Sequence, residues 1–168
     1  MKIANSIILA LAIGLLTNVS VYSETIHQTV QGDAAMSPDG AKALDKKLIE
    51  TKTIPSNGNV VRLVGSLPQW GYVTYWFGLS APAGKVTVRF KVYVDDSTPA
   101  DFAVYVRLKS GQTNVGQLTI PTDAKKNSFV DIDVPVVESE EWNGLSLKKT
   151  APSDKPSPWI SSVSVVLP

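Results

Sequence analysis

The sequence predicts an all-β protein, a jelly-roll-type antiparallel β-sandwich of about eight strands with a short N-terminal helix. Three observations carry this. From Val60 onward apolar side chains recur at every second position, the period of strands with one dry and one wet face. Turn-forming clusters punctuate these runs at short spacing: Ala81-Pro82-Ala83-Gly84, Asp95 to Asp101, Ser110-Gly111, Pro121 to Asn127, Glu138 to Gly144 and Thr150 to Pro158. Without its leader the chain has the length of one domain, enough to bury close to two-thirds of its unfolded surface without covalent staples. With no internal repeat, a jelly roll is favoured over an up-and-down barrel. An immunoglobulin-type sandwich is the alternative, since many sandwiches of that shape lack a disulfide.

The chain opens with a single basic residue, Lys2, an almost purely apolar run from Ile7 to Leu16, and small and polar residues from Thr17 to Ser23. Val21 and Ser23 suit positions −3 and −1 of a signal-peptidase site, so cleavage is expected before Glu24. The apolar core is too short for a spanning helix, which needs about 20 residues. The expected plan is a signal peptide over 1–23, an N-terminal extension over 24–58 and the sandwich over 59–168. The product is expected to be exported, with no membrane span after processing. Because the chain has no Cys, a bacterial periplasm or exterior suits it better than the compartments that build small disulfide-rich domains.

Within the extension, Ile26, Gln28 and Val30 alternate with more polar neighbours and suit a short opening strand. Ser37-Pro38-Asp39 reads as a helix start, with Ala41, Leu44, Leu48 and Ile49 as the apolar face of a short helix. The competing reading makes Lys47 to Ile54 a strand. Pro55 to Asn59 is a turn cluster and the clearest internal boundary. The strands expected beyond it are Val60–Val64, Tyr72–Leu79, Lys85–Val94, Phe102–Lys109, Val115–Ile120, Phe129–Val134, Leu145–Lys148 and Trp159–Leu167. In the third of these Val86, Val88, Phe90, Val92 and Val94 face the core, and Lys85, Thr87, Arg89, Lys91 and Tyr93 face water.

Losing Lys2 with the leader takes the 16 basic side chains to 15, level with the 15 acidic ones. This neutral balance gives no electrostatic footprint for nucleic acid and no general attraction to anionic lipid. Catalytic chemistry is thinly represented. His27 is the only histidine, no G-x-S-x-G elbow exists, and no phosphate-binding glycine pattern occurs. With one His and no Cys a zinc site is excluded in practice. A small hydrolase built on a carboxylate pair is the residual enzymatic alternative, but a lone sandwich rarely forms the deep cleft it needs. The acidic groups Asp95-Asp96, Asp131 with Asp133, and Glu138-Glu140-Glu141 admit a structural calcium ion. A solvated, solubilising surface is the preferred reading, and no cofactor is expected.

Three stretches carry a resemblance: YWFGLSAPAGKVTVRFKVYVDD from Tyr75 to Asp96, WNGLSLKK from Trp142 to Lys149, and PWISSVSVVLP from Pro158 to Pro168. They resemble the central hairpin and last two strands of galactose-binding-like jelly rolls, the fold of many carbohydrate-binding modules. The resemblance spans about residues 60–168 and implies the fold more strongly than a ligand, because this fold hosts binders, adhesion modules and enzyme appendages alike.

Four Trp and five Tyr in a small chain invite a sugar-binding reading, since the C–H faces of pyranose rings stack on flat aromatic surfaces. Trp70 lies in a loop bracketed by Pro68 and Gly71, and Trp142 and Asn143 lie between the acidic Glu138–Glu141 stretch and Gly144. The expected ligand residues are Trp70, Tyr72 and Trp142 as stacking surfaces and Asn143 as a polar partner, the alternative for Trp142 being a buried plug at the end of the sandwich. Trp76 and Trp159 read as core or rim packing. Tyr93 and Tyr105 read as a cross-strand pair on adjacent wet faces. The expected function is therefore that of an exported, non-catalytic module binding carbohydrate. The alternative is an envelope or extracellular component docking on another protein, which would show as a flat apolar face.

Overall fold

The computed structural model describes residues 23–34, 48–66, 71–150 and 153–168. Ten strands follow in chain order: β1 (Thr25–Gln31), β2 (Ile49–Ile54), β3 (Gly58–Leu63), β4 (Tyr72–Ala81), β5 (Gly84–Val94), β6 (Phe102–Leu108), β7 (Gln112–Leu118), β8 (Ser128–Glu138), β9 (Trp142–Lys149) and β10 (Trp159–Leu167). They form two antiparallel sheets. One has six strands in the order β2-β3-β10-β5-β8 with β1 also paired to β10, and the other has four in the order β4-β9-β6-β7.

From β3 to β10 the chain changes sheet at every connection except the β6–β7 hairpin. That alternation is jelly-roll connectivity, so the expected fold class is the observed one, with ten strands rather than about eight. The additional strands are β1, which the alternation of Ile26, Gln28 and Val30 anticipates, and β2. Ile49 was expected on a helix face but opens β2, in register with Leu63. Leu48, also expected on that face, precedes β2 and its carbonyl accepts the Val64 N–H at 3.1 Å, while the rest of the expected helix lies in 35–47, and the leader in 1–22, outside the described residues. Both β1 and β2 lie in the expected extension, yet both hydrogen-bond into the six-stranded sheet.

Strand β10 organises this sheet. Along one side it pairs with β5. Along the other, β3 meets it at Ile160 and β1 takes over from Ser162 to Leu167, so two short strands lie end to end. The 3₁₀ turn Gly32–Ala34 makes that handover. A Cβ on Gly32 would fall 2.2 Å from the Ile160 carbonyl oxygen, so only glycine fits there.

The core forms where the dry faces meet. Val86, Val88, Phe90 and Val92 of β5 pack with Val104 and Val106 of β6, Leu145 and Leu147 of β9, and Val73, Tyr75 and Phe77 of β4. Each fully buried side chain of this kind contributes about 1.5–3 kcal/mol of transfer free energy. On the outer face of the six-stranded sheet, Arg89 clamps Asp133 with two 2.7 Å hydrogen bonds and reaches Glu24 at 3.0 Å. This clamp holds the Asp133 carboxyl below its usual range, with burial opposing it. Asp131 stands opposite Lys91. The two aspartates that share this face are thus each matched to a cation.

Tyr93 has the parity of a wet position yet is 8 % exposed. It belongs to a satellite cluster with Ile54, Val60 and Trp159, flanked by Phe129 at 5.3 Å between ring centroids. Lys52 and Arg62 roof the cluster, and the Arg62 guanidinium sits 4.2 Å from the Trp159 ring. Tyr93 and Tyr105 form no cross-strand pair, because β5 and β6 lie in different sheets.

Candidate functional site

The outer face of the four-stranded sheet is built by strand period. In β4, Val73, Tyr75 and Phe77 are buried in the core, so Tyr72, Thr74 and Trp76 point outward. The register aligns them with β9 and β6 in three cross-strand rows: Trp76–Gly144–Arg107, Thr74–Ser146–Tyr105 and Tyr72–Lys148–Ala103. Strand β7 extends the rows with Gln112, Asn114 and Gln117, all exposed.

The middle row is sealed. Thr74 and Ser146 are fully buried and share a 2.9 Å hydroxyl hydrogen bond. Beside it, the Lys148 ammonium lies 4.2 Å from the Tyr105 ring centroid and 5.3 Å from that of Tyr72. In the first row the Arg107 guanidinium lies 5.3 Å from the Trp76 ring. The ring itself rests over Gly144, where a Cβ would come within 2.9 Å of it.

Next to this row the surface opens into a cleft of about 630 Å³, bounded by Trp76, Arg107, Gln112, Trp142 and Asn143. Two features shape it. Strand β4 leaves β9 after Trp76, and the backbone it frees at Leu79 is satisfied by Gln28, whose amide donates to the Leu79 carbonyl and whose carbonyl accepts its N–H at 3.0 Å. On the far rim, the Ser110 backbone donates to Glu140 at 3.1 Å and its hydroxyl donates to the same oxygen, tying the β6–β7 turn to the β8–β9 loop. These two bonds hold the Glu140 carboxyl below its ordinary pKa.

Among the described residues three buried side-chain donors have no acceptor: the Trp76 indole N–H, the Trp142 indole N–H and one Arg107 Nη. All three belong to residues that bound the cleft. Buried polar groups are normally paired, so three unpaired donors around one opening are exceptional.

The expected ligand residues divide. Tyr72 lies half-exposed on the outer face, and Asn143 is exposed on the cleft rim. Trp142 is 1 % exposed and packs edge-on to Phe77 at 5.8 Å, so it forms the wall of the cleft and presents no open ring face. It is a core residue that touches the site, which corrects its expected place as an open stacking surface. Trp70 lies outside the described residues. The sequence reading passed over Trp76, Arg107 and Lys148 as site residues. The alternation of β4 was signal enough for Trp76, because Val73, Tyr75 and Phe77 facing inward leave it facing out.

Other chemistry is sparse. A ring nitrogen of His27 lies 3.1 Å from the Ser80 carbonyl oxygen. Among the described residues no group of three or more His, Cys, Asp or Glu could hold a metal, and no helix is long and apolar enough to cross a membrane. The exposed large hydrophobics, Ile26, Leu79 and Val137, sit singly on three strands.

Solved structures share this architecture. The chain superposes on a family 6 carbohydrate-binding module from Clostridium cellulolyticum, solved in complex with xylose, with a TM-score of 0.54 and 13 % identity, covering 82 % of this chain and 95 % of that one. A carbohydrate-binding module from the Cellvibrio mixtus lichenase 5A, in complex with cellotriose, gives 0.55 at 10 % identity over 86 % and 99 %. A family 35 module from Clostridium thermocellum gives 0.52 at 13 % identity over 83 % and 92 %. The fold is thus that of a carbohydrate-binding-module-like β-sandwich, as the resemblance implied. Neither protein-family models nor curated proteins give a match to the sequence.

Proposed function

We propose that this protein is an exported, non-catalytic module that binds carbohydrate on the outer face of its four-stranded sheet and in the adjoining cleft. The observation that carries this reading is the row Trp76–Gly144–Arg107, where a glycine lets an aromatic ring lie on the sheet beside an open cleft. Tyr72 and Trp76 supply flat surfaces for sugar rings. Asn143 on the rim supplies a polar contact. Trp70, two residues before Tyr72 in sequence, is proposed as a further platform at the same end of β4. The fold shared with carbohydrate-binding modules supports the reading, and the leader, ending at Ser23, supports export. A protein-docking role finds less support, since the exposed large hydrophobics among the described residues are three, Ile26, Leu79 and Val137, on three different strands.

The test is native affinity electrophoresis of the purified protein through gels containing xylan, β-glucan, galactan or an acidic polysaccharide. Retardation by at least one polysaccharide is expected. Substituting Trp76→Ala or Tyr72→Ala should weaken it by about thirtyfold, the loss typical of a central aromatic contact. No retardation in any gel would overturn the reading, and retardation of both variants equal to that of the parent would overturn its platform.

A further inference from the structure

Charge is distributed unevenly between the two sheets. The five ion pairs of the described residues are Lys52–Asp95, Arg62–Glu50, Arg89 with Glu24 and with Asp133, and Lys126–Asp96. Each cation in them stands on the six-stranded sheet or in the loop that leads into β8. The four strands of the other sheet, YVTYWFGLSA, FAVYVRL, QTNVGQL and WNGLSLKK, contain no Asp or Glu. Their basic residues are Arg107, Lys148 and Lys149. Lys149 turns inward, where its ammonium bonds the carbonyl oxygens of Gly65 and Ser153. Arg107 and Lys148 turn outward on either side of Tyr105, and neither has an acidic partner among the described residues. Glu141 on the cleft rim pairs with neither of them.

We propose, resting on the carbohydrate reading above, that the saccharide held on this face is acidic, its carboxylate or sulfate groups being taken by Arg107 and Lys148. A neutral sugar hydroxyl both donates and accepts, so it is matched by mixed donors and acceptors. This face offers two cations, the Arg107 guanidinium and the Lys148 ammonium, on four strands that carry no carboxylate. An ionised carboxylate or sulfate only accepts, and it can engage a guanidinium through two parallel bonds. Two uncompensated cations on an acid-free sheet disfavour the empty face by mutual repulsion, and an anion relieves this. In keeping with that strain, burial and then the Arg107 charge hold the Lys148 ammonium below the ordinary lysine pKa. Tyr72, Tyr105 and Trp76 lie between and beside the cations, so sugar rings and their anionic substituents meet adjacent partners.

The experiment compares matched polymers by affinity electrophoresis and calorimetry on the purified protein. The pairs are polygalacturonate with its carboxyl-reduced form, alginate with its carboxyl-reduced form, and dextran sulfate with dextran. Neutral xylan, β-glucan and galactan and single-stranded oligothymidylate are added. The expected result is binding to a charged member about tenfold or more tighter than to its neutral counterpart, weakening as sodium chloride rises. Carboxylate and sulfate sources are told apart by which charged polymers bind. Arg107→Gln and Lys148→Gln should each cost about tenfold on the acidic polymer, while near-UV circular dichroism stays unchanged. Should either variant fail to fold, the matched pairs and the salt series on the unaltered protein decide alone. Equal binding of both members of each pair, binding to neutral polymers only, or unweakened variants would overturn the acidic assignment and leave carbohydrate binding standing. Binding to oligothymidylate alone, or to nothing, would overturn both.

Discussion

Trp76 of β4 and Gly144 of β9 stand directly opposite each other, and the indole ring occupies the space a side chain on Gly144 would need, with its nearest atoms 2.9 and 3.0 Å from that position. The glycine and the ring are one structural unit. On the other side Arg107 closes to 3.2 Å of the same point, so the ring cannot slide toward β6. Gly144→Ala is therefore expected to lift Trp76 off the sheet while the strand pairing persists. Polysaccharide retardation should fall as far as in Trp76→Ala, and the Trp near-ultraviolet signal should change. The melting temperature should drop only by the few degrees that correspond to about 1 kcal/mol in a domain of this size.

Trp142 and Asn143 are neighbours with opposite duties. Trp142 is the largest fully buried side chain among the described residues and packs against Phe77. Trp142→Ala should cost about 3–5 kcal/mol of stability through the cavity it leaves. Asn143 is exposed on the rim, and Asn143→Ala should stay within about 0.5 kcal/mol of the parent. Urea denaturation of the two variants separates them. A Trp142→Ala protein as stable as the parent would remove this tryptophan from the core.

The contrast between these residues explains what the sequence disclosed. Strand β5 was legible because Val86, Val88, Phe90 and Val92 are buried while Lys85, Thr87 and Lys91 are not, a difference written in residue type. Strand β2 is obscure because IETKTI is an edge strand with one buried residue, Ile54, so periodicity has little to act on. Sheet membership carries no local signal at all. Tyr93 and Tyr105 sit on consecutive strands with the same outward parity, and only the crossing between sheets sends one to a satellite cluster and the other to the candidate site. In the site, the alternation of β4 shows that Trp76 faces outward, but that its ring lies on the sheet depends on a glycine in a strand distant in sequence, and Trp142 reads as a loop aromatic although it begins β9.

Gly32 makes a prediction about the N-terminal strand. Its missing side chain lets the turn after β1 pass against the backbone of Ile160 and Ser161, where a Cβ would lie 2.2 Å from one carbonyl oxygen. Backbone cannot yield as a flexible side chain can, so Gly32→Ala should detach β1 from β10. Hydrogen exchange is the sensitive probe. The β1 amides and those of Ser162 to Leu167 facing them should lose protection, while the β5–β8 pairing keeps its own. Unchanged protection along β1 would mean that the turn can be rebuilt around a methyl group.

Asp95 gives the acid side of the stability profile. Its carboxylate, 17 % exposed, accepts the Trp159 indole N–H at 2.7 Å and the Ser97 backbone N–H at 2.9 Å, bonds the Ser97 hydroxyl, and faces Lys52 at 3.5 Å. Burial pushes its pKa up, but the Ser97, Trp159 and Lys52 contacts together outweigh it and leave the folded value below the ordinary one. A carboxyl whose pKa is depressed by folding contributes stability that is complete above its unfolded value, about 3.9, and that fades as pH falls through the folded value. Asp133, lowered by Arg89, acts in the same direction. The urea midpoint should therefore be flat near neutrality and decline below about pH 4. Asp95→Ala removes the acceptor of a buried indole N–H and should cost about 1.5–3 kcal/mol at pH 7. The same substitution should cost markedly less near pH 2, where the parent's own carboxyl is becoming protonated. A penalty independent of pH would assign the loss to packing around Trp159 and not to the charge on Asp95.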